Sequence, residues 1–264
     1  MSNTFQKYWK TVSIVASQPL QDRRLGLIAG LVLRLSRVVI LLSIWRSLFE
    51  GRETVSGMTL EAVMTYTLIA EVFSSQMSIR TALSDTLWEG IIVNRLTRPI
   101  GLYGQFVAEM VGDWVPGLLL HALPLLLLSP VLGADAMPAS PTSALAFLVS
   151  LVLGIAVGSA IDVLFTAIMM FLEQSIHSLT MIRDAVSVLL SGAVLPLALF
   201  PWGIGQTLTW LPFASLASAP LRIYTNTGDP VFLMSLQMAW AVVLWPLAHG
   251  FWTYNRERLV SHGG

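Results

Sequence analysis

The chain has 264 residues, of which 55% are hydrophobic and only 11% are charged, whereas soluble domains are about 25% charged. This composition excludes an ordinary soluble enzyme and a disordered chain, and 15 basic against 15 acidic residues leave no net charge that would attract nucleic acid. Because the chain has no cysteine, it has no disulfide framework, no thiolate metal site and no cysteine nucleophile.

Residues 1–20 predict an amphipathic helix that ends near Pro19. Aromatic and apolar residues recur there at three- and four-residue spacing: Phe5, Tyr8, Trp9, Val12 and Ala16. Such a helix suits the surface of a membrane. The alternative is a docked N-terminal helix with no function of its own.

Six apolar stretches predict membrane-spanning helices, since a span needs about 20 mostly apolar residues. The predicted spans cover roughly residues 27–49, 58–79, 104–131, 142–172, 184–201 and 231–253. They leave no room for a folded soluble domain. The sequence therefore predicts one all-α, polytopic membrane domain over residues 1–264.

Basic residues orient the predicted bundle, because they are enriched on the cytoplasmic side of membrane proteins. With the N-terminus inside, the inner segments hold ten of them: Lys7, Lys10, Arg23, Arg24, Arg80, Arg95, Arg98, Arg183, Arg256 and Arg258. The outer segments hold three: Arg46, Arg52 and Arg222. We therefore expect both termini and the segment 80–101 to be cytoplasmic.

Three ionisable residues within predicted spans are candidate functional groups, because such groups are costly in a membrane. They are Glu71, His121 and Asp162. His121 is either a proton or substrate site or a neutral imidazole bonded to a neighbouring helix. Asp162 shares a helix face with Gly154 and Gly158, so it is either a polar point on a transport path or an interhelical hydrogen bond within the subunit. Small residues at this spacing favour the packing interpretation.

The segment between the second and third predicted spans predicts a short cytoplasmic helix over residues 81–98. Its apolar stripe is Leu83, Leu87 and Ile91. Its candidate polar and conformational residues are Glu89, Gly90, Arg95, Arg98 and Pro99, the last of which cannot continue the helix. From the residues alone, an interfacial linker explains the segment.

Prolines break the apolar run over residues 192–230 into short pieces. The run is too apolar for a free loop and too interrupted for one helix. A re-entrant outer element over residues 201–230, buried against other spans, fits this pattern.

No catalytic motif is present in the sequence. The only two lysines, Lys7 and Lys10, belong to no phosphate-binding glycine-rich loop, so the chain has no ATP site of its own. The four histidines are scattered without metal-ligand spacing. The sequence predicts a protein that is not an enzyme and carries no cofactor.

Three stretches resemble type-2 ABC exporter permeases, and in particular the bacterial branch named ABC-2 family uncharacterised transport system permease component. The first is Trp45–Phe49, followed by Gly57–Glu61 and Tyr66. The second is Glu89 and Gly90 with Leu96–Ile100. The third joins Ser191 and Gly192 to Pro196, Phe200, Pro201 and Leu211–Phe213.

This resemblance implies an ABC exporter subunit of the bacterial inner membrane. Two permease chains, identical or sister, would form a pathway and bind two ATPase subunits that hold ATP and Mg²⁺. The helix over residues 81–98 would be the coupling helix that docks on the ATPase. Its apolar stripe would sit in a groove of the ATPase, and its polar contacts would come from Glu89, Arg95 and Arg98. Gly90 would allow close approach of the partner backbone, and Pro99 would fix the angle at which the chain enters the third span. The resemblance places the contact between permeases at the first and fifth spans, whereas Gly154 and Gly158 would suggest the fourth.

A stand-alone secondary transporter or channel is the alternative, and an intramembrane enzyme is disfavoured by the missing motifs. Such transporters often contain inverted repeats, and none joins residues 1–132 to 133–264. Few charges and abundant tryptophan and phenylalanine, 9 and 11 residues, favour a hydrophobic or amphipathic substrate.

Overall fold

The computed structural model describes residues 2–22, 24–98, 100–172 and 176–262, and this part of the chain is mostly helical. The helices, in chain order, are α1 (Ser2–Asp22), α2 (Arg24–Leu48), α3 (Leu60–Val72), α4 (Ser74–Met77), α5 (Leu83–Trp88), α6 (Ile92–Leu96), α7 (Leu102–Gly117), α8 (Leu123–Leu128), α9 (Pro141–Leu172), α10 (Ile176–Ser191), α11 (Ile204–Thr209), α12 (Ser218–Tyr224) and α13 (Pro230–His262). Between α2 and α3, strands β1 (Thr54–Val55) and β2 (Met58–Thr59) form a hairpin. Ser56 and Gly57 both have positive φ in its two-residue turn, as a tight hairpin requires.

Within the described residues, four helices are long and apolar enough to cross a membrane. They cover Ile28–Leu48, Leu102–Leu128, Pro141–Phe171 and Pro230–Asn255. The second of these joins α7 to α8 through a π-helical turn, Leu118–Ala122. They confirm long apolar helices at the first, third, fourth and sixth predicted spans.

The second and fifth predicted spans contain shorter helices, α3 and α10. The prediction of six long single helices is therefore not confirmed at these two positions. Helix α3 has 13 residues and α10 has 16, both short of about 20. The helical geometry lapses at Phe73, just before the polar residues of α4. Helix α10 ends at Ser191, and the next residue, Gly192, has a left-handed φ of 77° that does not continue the helix.

Helix α3 lies at the centre of the bundle, with residues 63–72 all buried. Two of its buried polar side chains form hydrogen bonds with neighbouring elements. The indole of Trp45 donates to Thr67 Oγ1 at 2.9 Å, and the Tyr66 hydroxyl donates to the Gly192 carbonyl at 2.7 Å. These bonds tie α3 to α2 and to the end of α10.

The small-residue face of α9 packs against other parts of the same chain. A Cβ atom on Gly154 would lie 2.6 Å from the carbonyl oxygen of Ser215, and one on Gly158 would lie 2.7 Å from Ile79 Cγ1. The two glycines therefore permit close packing within the subunit.

Helix α1 continues three residues beyond Pro19, where the sequence predicts its end. Proline removes one helical hydrogen bond but does not forbid a helix, and α1 is anchored upstream of it. Tyr8 lies against Gly104, and Val15 lies against Gly112. Thus α1 runs parallel to the first half of α7.

The proline-rich segment after Gly192 is broken into short pieces, as predicted. The 3₁₀ turns are Leu197–Leu199, Pro201–Gly203 and Pro212–Ser215, and α11 and α12 have six and seven residues. Helix α12 packs on α9 and α3 and is largely buried.

Candidate functional site

A cavity of about 610 Å³ opens between α2, the α3–α4 junction, α7 and α10. Its charged lining consists of Arg34, Arg37, Glu71, Arg80 and Asp113. Serines from α4 and α10 add hydroxyl groups, and the remaining wall is apolar. The cavity thus combines charged, hydroxyl and apolar groups, as ligand-binding cavities commonly do.

Glu71 sits beneath two arginines of α2 at this cavity. Its carboxylate lies 3.7 Å from Arg34 Nη1 and 3.5 Å from Arg37 Nη1, and its side chain is 8% exposed. The arginines are three residues apart and so share a helix face. Arg34 also donates to Ser74 Oγ at 2.6 Å. The sequence analysis identified Glu71 as a candidate but not its partners. The presence of Arg34 and Arg37, three residues apart within an apolar span, could have indicated that they need an acidic partner.

Asp162 lies at the centre of a second, buried polar cluster. Its carboxylate accepts hydrogen bonds from the backbone and hydroxyl of Thr81 and from Arg183 Nη1. The side chains of Asp162 and Arg183 are 1% and 3% exposed. The cluster joins α9, α10 and the first residue of the segment that leads into α5.

Half-exposed charges extend this cluster outward. Arg183 Nη2 lies 2.8 Å from Asp184, and Arg80 lies 3.5 Å from Asp184 and 3.3 Å from Asp85. Arg80 also lines the cavity. Thr81 and Asp162 are 81 residues apart along the chain. The sequence therefore gave no indication that these two residues form a hydrogen bond.

The segment expected to form one helix over 81–98 is two short helices. Gly90 has a left-handed φ of 70° and separates α5 from α6; this conformation is open to glycine at little cost. Glu89 and Gly90 are exposed at the turn, whereas Pro99 lies outside the described residues. The segment therefore presents an exposed turn at residues 88–91 rather than one continuous helix face.

The break also divides the predicted apolar stripe. Leu83 is buried in the protein's own core with Ile92 and Phe106, so the expectation that Leu83 faces a partner is wrong. Among the side chains described in this segment, the exposed large apolar ones are Trp88, Ile91 and Leu96, which are 68%, 41% and 59% exposed, respectively.

Both candidate arginines of this segment contact Glu109 of α7. Arg95 forms a direct ion pair with it, and Arg98 approaches it at 3.9 Å. The Arg95 guanidinium also lies over the ring of Phe106, 5.3 Å from its centre. These contacts anchor α6 on the start of α7.

His121 lies in the π-helical turn and packs against α2. Its Nε2 atom is 3.1 Å from the position that a Cβ on Gly30 would take. Among the described residues, no group of three His, Cys, Asp or Glu side chains could hold a metal ion.

The long apolar helices and the charged cavity between them define the class: a multi-pass helical membrane protein of transport type. Residues 35–263 match the family described as ABC-2 family transporter protein, and the chain belongs to this family. It is thus a membrane permease component of an ABC transporter. A comparison with curated proteins found no significant match.

Proposed function

We propose that the chain is the permease subunit of an ABC exporter, that it works with a second permease chain, and that separate ATPase subunits drive it. The family membership and the exposed turn between α5 and α6 support this proposal. The segment before the turn contacts α9 and α10 through Thr81 and Arg80, which bind Asp162 and Asp184. A partner that moved α5 would therefore act on α9 and α10 through these contacts.

We infer six membrane crossings, with α3–α4 and α10 completing the four long helices. Residues 60–77 extend about 27 Å at 1.5 Å per residue, close to the thickness of a bilayer core. The interruption at Phe73 is compatible with a span because neighbouring helices enclose it, and irregular backbone is tolerated where protein surrounds it. The proline-rich segment would then be the re-entrant outer element, and α1 would lie at the inner surface.

The proposed orientation puts both termini and the α5–α6 turn in the cytoplasm of a bacterial cell. ATP and Mg²⁺ would be bound by the ATPase partners. Their closure on nucleotide would shift the permease from an inward-open to an outward-open population. The second permease chain would contact α2 and α10.

The test is co-purification of this chain with an ATPase subunit from the cells that produce it. Trp88→Ala removes an exposed aromatic residue at the proposed docking turn, and buried interface tryptophans cost about 2 kcal/mol or more when truncated. We therefore expect ATPase binding to weaken about 30-fold. Trp202→Ala, which removes a 91% exposed tryptophan far along the chain, is the matched control.

Equal binding by both variants, with normal membrane insertion, would contradict the coupling role of the turn. Failure of any ATPase to co-purify would instead favour a stand-alone secondary transporter or channel.

A further inference from the structure

The cavity between α2 and α10 carries more positive than negative charge. Three arginines and two carboxylates line it: Arg34, Arg37, Arg80, Glu71 and Asp113. Arg80 is paired outside the cavity with Asp85 and Asp184. Arg34 and Arg37, in contrast, share the single carboxylate of Glu71, so this group of three carries one net positive charge. An unbalanced charge is unfavourable inside a membrane protein, so an anionic group in the cavity would be stabilised there.

The pair of arginines on α2 shows where such a group would bind. Glu71 is the single carboxylate between them, and both of its contacts, 3.7 and 3.5 Å, are longer than the roughly 2.7–2.9 Å of a charge-assisted hydrogen bond. Arg34 directs its Nη1 toward Ser74. The Arg37 side chain is 50% exposed, so its remaining donors are open to the cavity. A guanidinium binds a carboxylate or phosphate through two parallel hydrogen bonds.

The rest of the wall suits a hydrocarbon chain. Leu33, Trp114, Val188 and Val194 line the cavity beside the arginines. Its volume lies in the usual range for a site that encloses one small organic molecule, roughly 300–1,000 Å³. A free inorganic anion would leave this apolar surface uncovered.

We propose that this cavity binds a single-chain amphipath through its anionic head group, with Arg37 as the main ligand and Glu71 as the competing internal anion. The proposal rests on the proposed function, because it names the substrate class of the permease pathway. The proposal predicts opposite effects of two substitutions on anion binding. Arg37→Gln removes the ligand, whereas Glu71→Gln removes its competitor, so anion binding should weaken in the first and tighten in the second.

The measurement uses the full chain in nanodiscs of neutral phosphatidylcholine, without an ATPase. The probe is a fatty acid that carries a nitroxide on its chain, and the readout is quenching of tryptophan fluorescence. The chain has nine tryptophans, so the signal of Trp114 is obtained by subtracting the quenching of Trp114→Phe. The methyl ester of the same probe supplies a neutral ligand of nearly equal shape.

We expect saturable quenching of Trp114 by the acid and binding about tenfold weaker or more for the ester and for Arg37→Gln. Glu71→Gln should bind the acid more tightly, and Arg52→Gln, at an exposed arginine outside the cavity, should match the wild type. Equal binding of acid and ester, or equal weakening by the Arg37 and Glu71 substitutions, would overturn the proposal.

Two competition experiments distinguish a single-chain amphipath from a small inorganic anion and from a bulk membrane lipid. Displacement of the probe by millimolar inorganic phosphate would show a small-anion site and overturn the amphipath assignment. Displacement by phosphatidylglycerol added to the nanodisc would show a site for bulk lipid and overturn it too. Resistance to both supports the proposal. Because no ATPase is present, these results stand apart from the co-purification test of the proposed function.

Discussion

The buried pair between Asp162 and Arg183 should be a main determinant of stability. Asp162→Asn would leave the Arg183 guanidinium 3% exposed, with only the half-exposed carboxylate of Asp184 to balance it. Removing one partner of a buried ion pair costs about 3–5 kcal/mol. A chain of this size shifts by roughly 2–4 °C per kcal/mol, so the midpoint of thermal unfolding should fall by about 6–20 °C.

The assay is thermal unfolding of the detergent-solubilised chain, followed by tryptophan fluorescence at neutral pH. Asp184→Asn is the matched control, because Asp184 contacts the same arginine at 2.8 Å but is 44% exposed. An exposed pair contributes about 1 kcal/mol or less. The control should therefore unfold within a few degrees of the wild type, at about 2–4 °C lower.

A double variant separates the loss of attraction from the penalty of an unpaired charge. In Asp162→Leu/Arg183→Met both charges are replaced by apolar side chains of similar size. Such replacements are often neutral or stabilising, so the double variant should recover most of the stability that Asp162→Asn loses. The reasoning is refuted if Asp162→Asn unfolds no earlier than Asp184→Asn, or if the double variant is no more stable than Asp162→Asn.

Packing and topology give three further predictions. Gly154→Ala should lower the unfolding midpoint measurably, because its methyl group would lie 2.6 Å from the backbone oxygen of Ser215. Gly250→Ala, also in a long helix but with nothing within 4 Å of the added methyl group, should be neutral or stabilising by up to about 1 kcal/mol in the same melt. Since the chain has no cysteine, single cysteines report sidedness without background: Glu89→Cys should resist a membrane-impermeant maleimide in intact cells, and Met137→Cys should react. The opposite labelling pattern would reverse the proposed orientation.

Local composition was enough to predict the long helices. Residues 141–161 and 230–255 contain no charged side chain, and both lie within single long helices, α9 and α13. Hydrophobic length is a property of one segment, so it needs no knowledge of neighbours. Helix α3 is different: its polar residues are tolerated because Trp45 and Gly192 satisfy them, and those partners are distant in sequence.

The same distinction explains the candidate site. The sequence marked Glu71 and Asp162 as costly, but their partners come from other helices. Gly90 was interpreted as space for a partner, and the sequence did not indicate that its left-handed φ would also break the helix. Arg95 and Arg98 were expected to face an ATPase, and both contact Glu109 of the same chain. Long-range pairing follows no periodicity that one sequence could show.

Arg80 belongs to two sites at once. One guanidinium lines the cavity and also pairs with Asp85 at the start of α5 and with Asp184 on α10. An anion that drew Arg80 toward the cavity would weaken those pairs, and a partner that pulled Asp85 away would release Arg80 to the cavity. Binding free energies that share one group are reciprocal. If a bound anion weakens the attachment of α5 by a given free energy, displacement of α5 must therefore strengthen anion binding by the same free energy.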